Sequence, residues 1–533
     1  MENIENLNES ELVELWQQLQ SMTQEETRDC GDVALLWHLV ERLDLVNILD
    51  QAAGKREQGQ SVGLVTAQMA IHRDTDPGSK LSFLEWYPQT ILPELAKLAN
   101  EEVSYQHLLR SLEYWDDIAI AKAETGILLK LGLDFGIGPE TIVWDATSTY
   151  FEGETNSLIR RGYSRDHRPD RPQVNVDLFL DVKHHLPIYS RSYEGNVGAP
   201  TTREGNMVDV TRFPRAVEDL SQQYPDWRPM IISDCGVISD EILIKMRRLR
   251  YGLLFGLPRK GRWLSIILGV SESQFDYGFY YRGNHIKAKR KGVNLGGHRF
   301  HVYVFLNKKK ARRETAAREK AMCACEAELR VLKLGVRFLK TRAQIKERVK
   351  KILAEHKVSK FLHVQVVKPR IAGEFELRIQ PRKRALKRQA RLEGRSMVIT
   401  APGAMPPKEA YSTYHSGRHS VESAFGMVKG SISIRPVFVY NEQRIKGHIF
   451  ICQLALLLRR VLKMLLKLSG IQMTSRRALR QVKSVRIVKK TLSGVSKSLW
   501  QVNQIPEEIQ RIFDAVGLEM QQLLRNLQLP LPP

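Results

Sequence analysis

Residues 141–147 read TIVWDAT and residues 229–236 read PMIISDCG. Both are short runs of apolar and β-branched residues, the composition of strands rather than of helices. Each carries an aspartate: Asp145 lies inside the first run, and Asp234 ends the second. After the first run comes a polar loop at 152–172, rich in Gly, Arg, Asp and Pro. Alternation then predicts strands near 174–182 and 186–193, turning around His184–Pro187, and a helix at 207–222. Beyond Asp234 the pattern predicts a helix at 238–249 and a strand at Tyr251–Leu257. Three strands, a helix, a strand, a helix and a strand, in that order, predict a mixed sheet with helices packed on it, an α/β architecture.

Working outward, residues 1 to about 138 read as a helical N-terminal domain. Ala34, Leu35, Leu39, Leu43 and Val46 recur at helical spacing, and similar patterns cover 64–72, 104–113 and 116–133. DNA binding and helical docking are equally good readings of this domain, because no helix-turn-helix signature is visible. The catalytic domain is expected at 139–257 and 396–470, split by a basic α+β subdomain inserted at 258–395. Strand-like runs at 300–306, 360–368 and 375–380 and a charged helical stretch at 311–356 fall inside the insertion. Helices follow at 417–430 and 442–468, and a C-terminal helical region at 471–533 includes a basic stretch at 475–491. At 533 residues the chain is long enough for two or three folding units.

Lys and Arg total 82 against 59 Asp and Glu, a formal charge of +23, with an isoelectric point near 9.7. Such a balance favours a polyanionic partner, DNA or RNA being the commonest. Five scattered cysteines have no zinc-ligand spacing and fit a reducing compartment. The acidic N-terminus lacks a secretory h-region. The most apolar run, Ile449–Leu458, is cut by Arg459–Arg460 and is too short to span a bilayer. The expectation is a cytoplasmic protein without a membrane partner.

Three acids stand out. Aspartate is disfavoured within strands, and a buried unpaired carboxylate is costly, so Asp145 calls for compensation, by a cation or by capping the next turn. Asp234 ends a strand before Cys235–Gly236, where α/β sheets open a ligand crevice; N-capping explains it equally well. Glu422 lies in a helix with Arg418 and Lys429, all within about 60° of one another at about 100° per residue. Two cations beside a carboxylate suit a phosphodiester, the arginine as a planar fork and the lysine as a compact charge. An ordinary i,i+4 Arg–Glu surface pair is the plainer reading of Glu422. Taken in order, strand Asp, strand-end Asp and helix Glu suit two-metal phosphoryl transfer, with hard oxygen donors that favour Mg²⁺.

The residues around these acids resemble the bacterial insertion-sequence transposases of the DDE class that carry a Tyr-Arg-Glu-Lys signature. Arg418, Glu422 and Lys429 fit its spacing. The tyrosine position is occupied by His415, with Tyr414 one residue early. Ile434–Val437 and Arg444–His448 continue the match, WDATSTYFE at 144–152 and GYSRD at 162–166 resemble the first-acid region, and SDCGVIS at 233–239 resembles the second. The resemblance spans about 140–465. It implies a ribonuclease-H-like fold with a β-rich insertion between Asp234 and Glu422. Asp145, Asp234 and Glu422 would be the catalytic, metal-binding triad, with two Mg²⁺ ions for which Mn²⁺ can substitute. Arg418, Lys429, His415 and Tyr414 would contact DNA. It further implies cleavage at terminal inverted repeats, transfer of 3′-hydroxyls to target DNA, and a homodimer on paired ends, associated with the bacterial nucleoid.

Basic clusters crowd the insertion: Lys287, Lys289, Arg290 and Lys291; Lys308, Lys309, Lys310, Arg312 and Arg313; Arg382, Lys383, Arg384, Lys387, Arg388 and Arg391. In a DNA enzyme these are expected to touch the phosphate backbone. Trp263, Tyr277, Phe279, Tyr280 and Tyr281 nearby are either sheet core or stacking platforms for an unpaired base. Two competing readings are a transposase descendant that binds DNA without cutting it, and a metal-dependent nuclease on the same fold.

Overall fold

Polar Thr23–Asp29 (TQEETRD) forms a strand, β1, in the computed structural model, within the N-terminal stretch expected to be mostly helical. The structure describes residues 23–528 apart from 55–59, 99–101, 153–155, 163, 196–206, 333, 335–340, 368–374, 402, 404 and 492–497. Tyr163 and the acidic first 22 residues therefore lie outside the described residues. The chain divides into two compact units, residues 1–230 with 416–533, and residues 231–415.

In the first unit, helices at 31–42, 45–53, 62–75, 80–86, 92–96, 105–113 and 117–135 follow β1. Four of these starts are capped: Ser61, Ser79, Ser104 and Asp116 each accept a backbone N–H three residues ahead. Then β2 (Thr141–Tyr150), β3 (Gln173–Asp181) and β4 (Pro187–Glu194) form an antiparallel meander in the order β4-β3-β2, with Asp145 opposite Leu178. Every residue of β3 is buried, which marks a strand covered on both faces. Trp144 packs against Phe213 of the helix Met207–Gln223, ring centroids 5.1 Å apart. Buried Glu124 of the 117–135 helix accepts the Ser190 N–H and pairs with Arg191 at 2.8 Å, docking that helix on β4.

The second unit opens on β5 (Met230–Ser233), a helix at Asp240–Arg248 and β6 (Gly252–Gly256), a β-α-β connection. It continues through a helix at 261–268, β7 (Tyr277–Tyr281), β8 (Asn284–Leu295) and β9 (His298–Asn307), then helices at 308–330 and 342–355. After β10 (Leu362–Val367), β11 (Glu376–Pro381) and a helix at Lys383–Ala390 comes β12 (Arg395–Thr400), which leads into the helix Pro407–Lys429. Strand neighbours within this unit run β5-β6-β12-β9-β8-β7. β12 pairs with β6 on one side and β9 on the other. The insertion's β7–β8–β9 hairpins thus extend the ladder of the preceding strands. A satellite core of Cys325, Leu329, Ile345, Val349, Ile352 and Leu362 holds the helical pair and the β10–β11 hairpin.

Back in the first unit, the helix Glu442–Leu468 is buried along most of its length, and its Arg459 bonds fully buried Asp74 of the 62–75 helix. The C-terminal region 471–533, expected to be helical, also contains two strands. A helix at 475–482 gives way to β13 (Arg486–Thr491) and β14 (Ser498–Val502), before helices at 507–516 and 520–528. β13 pairs with β1 on one side and β14 on the other. No helix among the described residues is long and apolar enough to cross a membrane.

Candidate active site

Asp145 sits on β2 with its side chain 23% exposed. Its Oδ1 accepts the Ala146 N–H at 2.8 Å and lies 3.4 Å from Arg165 Nη1. Compensation for this strand aspartate therefore comes from a guanidinium in the following loop. Arg165 Nη2 in turn bonds Asp209 at 2.5 Å, Arg212 reaches the same carboxylate at 3.3 Å, and fully buried Arg212 stands 3.5 Å from fully buried Asp177. Burial pushes the Asp177 carboxyl up to about 6, against the pull of Arg212. The loop is pinned to its strand by the Arg165 N–H, which donates to Ser148 Oγ at 3.0 Å.

Asp234 ends β5 and lies in the second unit. Its carboxylate accepts the Gly236 N–H at 2.7 Å, capping a one-turn 3₁₀ helix, Cys235–Val237. Ser239 then caps the 240–248 helix. On neighbouring β6, a Cβ built on Gly256 would fall 2.2 Å from Tyr414 Oη and 3.3 Å from Cys235 N. Tyr414 thus lays its hydroxyl over Gly256, beside the Asp234–Cys235 peptide. His415 goes elsewhere: its ring centroid is 4.2 Å from Tyr411 and 6.1 Å from Tyr281. The phenol one residue early, not the histidine at the signature position, is the side chain brought to the second acid's turn.

Glu422 is 59% exposed and paired with Arg418 at 3.0 Å, the i,i+4 geometry of a surface pair. Lys429 does not share that exposure. Its Nζ is 2.6 Å from Asp166 Oδ1, and Arg435 Nη1 is 2.9 Å from Asp166 Oδ2. Burial lowers the Lys429 pKa, with Asp166 opposing the shift. Arg435 also lies 4.5 Å from the centre of the Tyr150 ring. One carboxylate in the loop after Asp145 therefore ties down the end of the helix that carries Glu422. Asp166 and Arg165 stand inside the GYSRD block, and their charged pair was the only sequence signal for this role.

The implied metal centre can be tested against these contacts. Among the described residues, no group of three or more His, Cys, Asp or Glu side chains is placed to hold a metal ion. Asp145 and Glu422 are each engaged by an arginine, and Asp234 by a backbone N–H. Asp145 and Glu422 belong to the first unit and Asp234 to the second.

In the insertion, Lys383, Arg384, Lys387 and Arg388 are exposed while Ala385 and Leu386 pack on the satellite core. Lys289 and Lys308 instead pair with Asp276 and Glu272. Trp263 and Phe279 are core residues, whereas Tyr277 and Tyr280 are 43% and 72% exposed. The aromatic set thus divides between sheet core and open surface.

No protein-family model matches the chain, and no curated protein matches it. Among solved structures, the chain is similar to the piggyBac transposase in its synaptic complex with hairpin DNA. That similarity has 9% identity and a TM-score of 0.39, covering 96% of this chain and 89% of that one.

Proposed function

We propose that the protein is a DNA transposase of a bacterial insertion sequence, with Asp145, Asp234 and Glu422 as its catalytic carboxylates. The observation that carries this reading is the Asp166 ion-pair knot. It ties two blocks 263 positions apart, the loop after Asp145 and the helix of Glu422, through Lys429 and Arg435. The chain order around them, three antiparallel strands, helix, β5, helix, β6 and a late helix bearing the glutamate, supports a ribonuclease-H-like catalytic core. The substrate is double-stranded DNA, cleaved at terminal inverted repeats and rejoined through 3′-hydroxyls. The working form is a homodimer on paired ends at the bacterial nucleoid.

Mg²⁺, with Mn²⁺ as substitute, is the cofactor proposed on the hardness of three carboxylates. What this chain itself supplies is clearer: Arg165 holds Asp145 in place, Tyr414 buttresses the Asp234 turn, and Asp166 orients Lys429.

A second reading has support of its own. The Arg165–Asp145 and Arg418–Glu422 pairs suit a chain that binds DNA without cutting it. Incubating the full chain with DNA bearing the inverted repeats that flank its gene, with Mg²⁺ or Mn²⁺, separates these. Cleavage followed by joining supports the transposase, cleavage without joining a nuclease, and shifted but uncut DNA the binding protein.

A further inference from the structure

Arg459 and Arg460 interrupt an apolar helix, and among the described residues only Arg459 has an acid. Arg459 bonds Asp74 and the Ser431 hydroxyl. Arg460 is 2% exposed, yet its nearest polar partners are the Ser420 carbonyl and the Ser423 hydroxyl, each 3.4 Å from Nη2. Its buried Nε has no hydrogen-bond partner among the described residues. A guanidinium removed from water without a counter-charge is expensive unless an anion completes it.

The surroundings add positive charge. Lys463 and Lys467 lie three and seven residues beyond Arg460, on the same helical face, half-buried and exposed respectively. From the turn between β3 and β4, His185 places Nδ1 2.7 Å from Ser420 Oγ. Exposed His419 stands on the adjoining helix. Burial depresses the His185 pKa to about 4, and Arg460, Lys463, Lys467 and His419 all push it the same way. Lys463 is lowered by burial, then by Arg460 and Lys467. The nearest acid on that turn, Asp181, is turned to His184, accepting its backbone N–H and standing 3.1 Å from its Nδ1. Among the described residues, Arg460, Lys463 and Lys467 form no ion pair.

We infer that Arg460, Lys463, Lys467 and His419 form a binding site for a phosphate group, where the 442–468 helix passes Ser420 and Ser423 of the 407–429 helix. Arginine offers its planar fork and lysine a mobile point charge, the usual pair for a phosphate oxyanion. The phosphate is either a DNA backbone group or free inorganic phosphate. The site's existence does not depend on cleavage chemistry.

The test uses the full chain, the double variant Lys463→Gln/Lys467→Gln, and a control of equal charge loss, Lys350→Gln/Lys351→Gln, on an exposed helix of the insertion. Thermal melting is followed against inorganic phosphate at constant ionic strength. Binding of a 20-bp duplex lacking the element ends is followed by fluorescence anisotropy against NaCl concentration. If the site takes free phosphate, phosphate raises the melting temperature of the wild type and the control saturably, and the double variant does not respond. If it takes backbone phosphate, the slope of log K on log salt becomes shallower by about 1–2 in the double variant and unchanged in the control, since each phosphate contact contributes about 0.9. Either result supports the site. A double variant that matches the control in both assays overturns it. Neither readout requires cutting, so failure here is distinct from failure of the transposase reading.

Discussion

Asp166 holds two cations that would otherwise repel each other, and both matter only if they are correctly placed. Replacing Asp166 with Asn removes the charge that fixes Lys429 and Arg435, and misplacement on the ångström scale costs up to about 10²-fold in rate. Single-turnover cleavage of end DNA should therefore slow by at least about tenfold while end affinity stays within about threefold. Unchanged cleavage would assign Asp166 no positioning role. Asp32 tests the interior instead. It is 3% exposed, accepts the Val33 N–H at 3.0 Å, and burial lifts its carboxyl to about 6. A raised folded pKa means its contribution to stability is full below the unfolded value near 3.9 and is lost as pH rises through 6. The wild type should lose roughly 3 kcal/mol relative to Asp32→Asn between pH 4 and pH 7, at about 1.4 kcal/mol per unit. Equal pH profiles in denaturant melts would contradict that. Single residues were the least legible in sequence, because partners decide them. Lys429, read in sequence as a DNA contact, is paired with Asp166, and Asp234 makes the capping contact that explained it equally well.

Elements were legible where they bury one face or two. The strands β2 to β6 and the helices between them lie within a few residues of their expected limits, since apolar runs and alternation mark them. Strands with charged surfaces were not: β1 (TQEETRD), β8 (NHIKAKRKGVNL) and β13 (RIVKKT) are pinned by cross-strand partners that no local pattern reveals. The stretch 311–356 read as one helical run yet holds two helices, ending at Arg330 and restarting at Arg342. One close approach between helices carries a prediction. A Cβ on Gly447 would meet Leu112 O at 2.4 Å and Leu112 Cα at 2.9 Å, both backbone atoms. Gly447→Ala should force the 442–468 and 105–113 helices apart and cost about 1–3 kcal/mol, read as a lower melting temperature. An unchanged melt would show that the helices can part freely.

At the scale of the whole molecule, the formal charge is +23, a balance that favours a polyanionic partner. Lys383, Arg384, Lys387 and Arg388 project from one exposed helix, and replacing all four with Gln should make the salt dependence of DNA binding shallower by about 2–4. An unaltered slope would place the DNA on another face. The direct test of the central claim is end cleavage by the wild type beside Asp145→Asn, Asp234→Asn and Glu422→Gln, each with Mg²⁺ and each checked for end binding. The expected result is cutting and joining by the wild type, with cutting lost in all three variants while end binding persists. Cleavage that survives in any one of them would contradict the assignment of these three carboxylates.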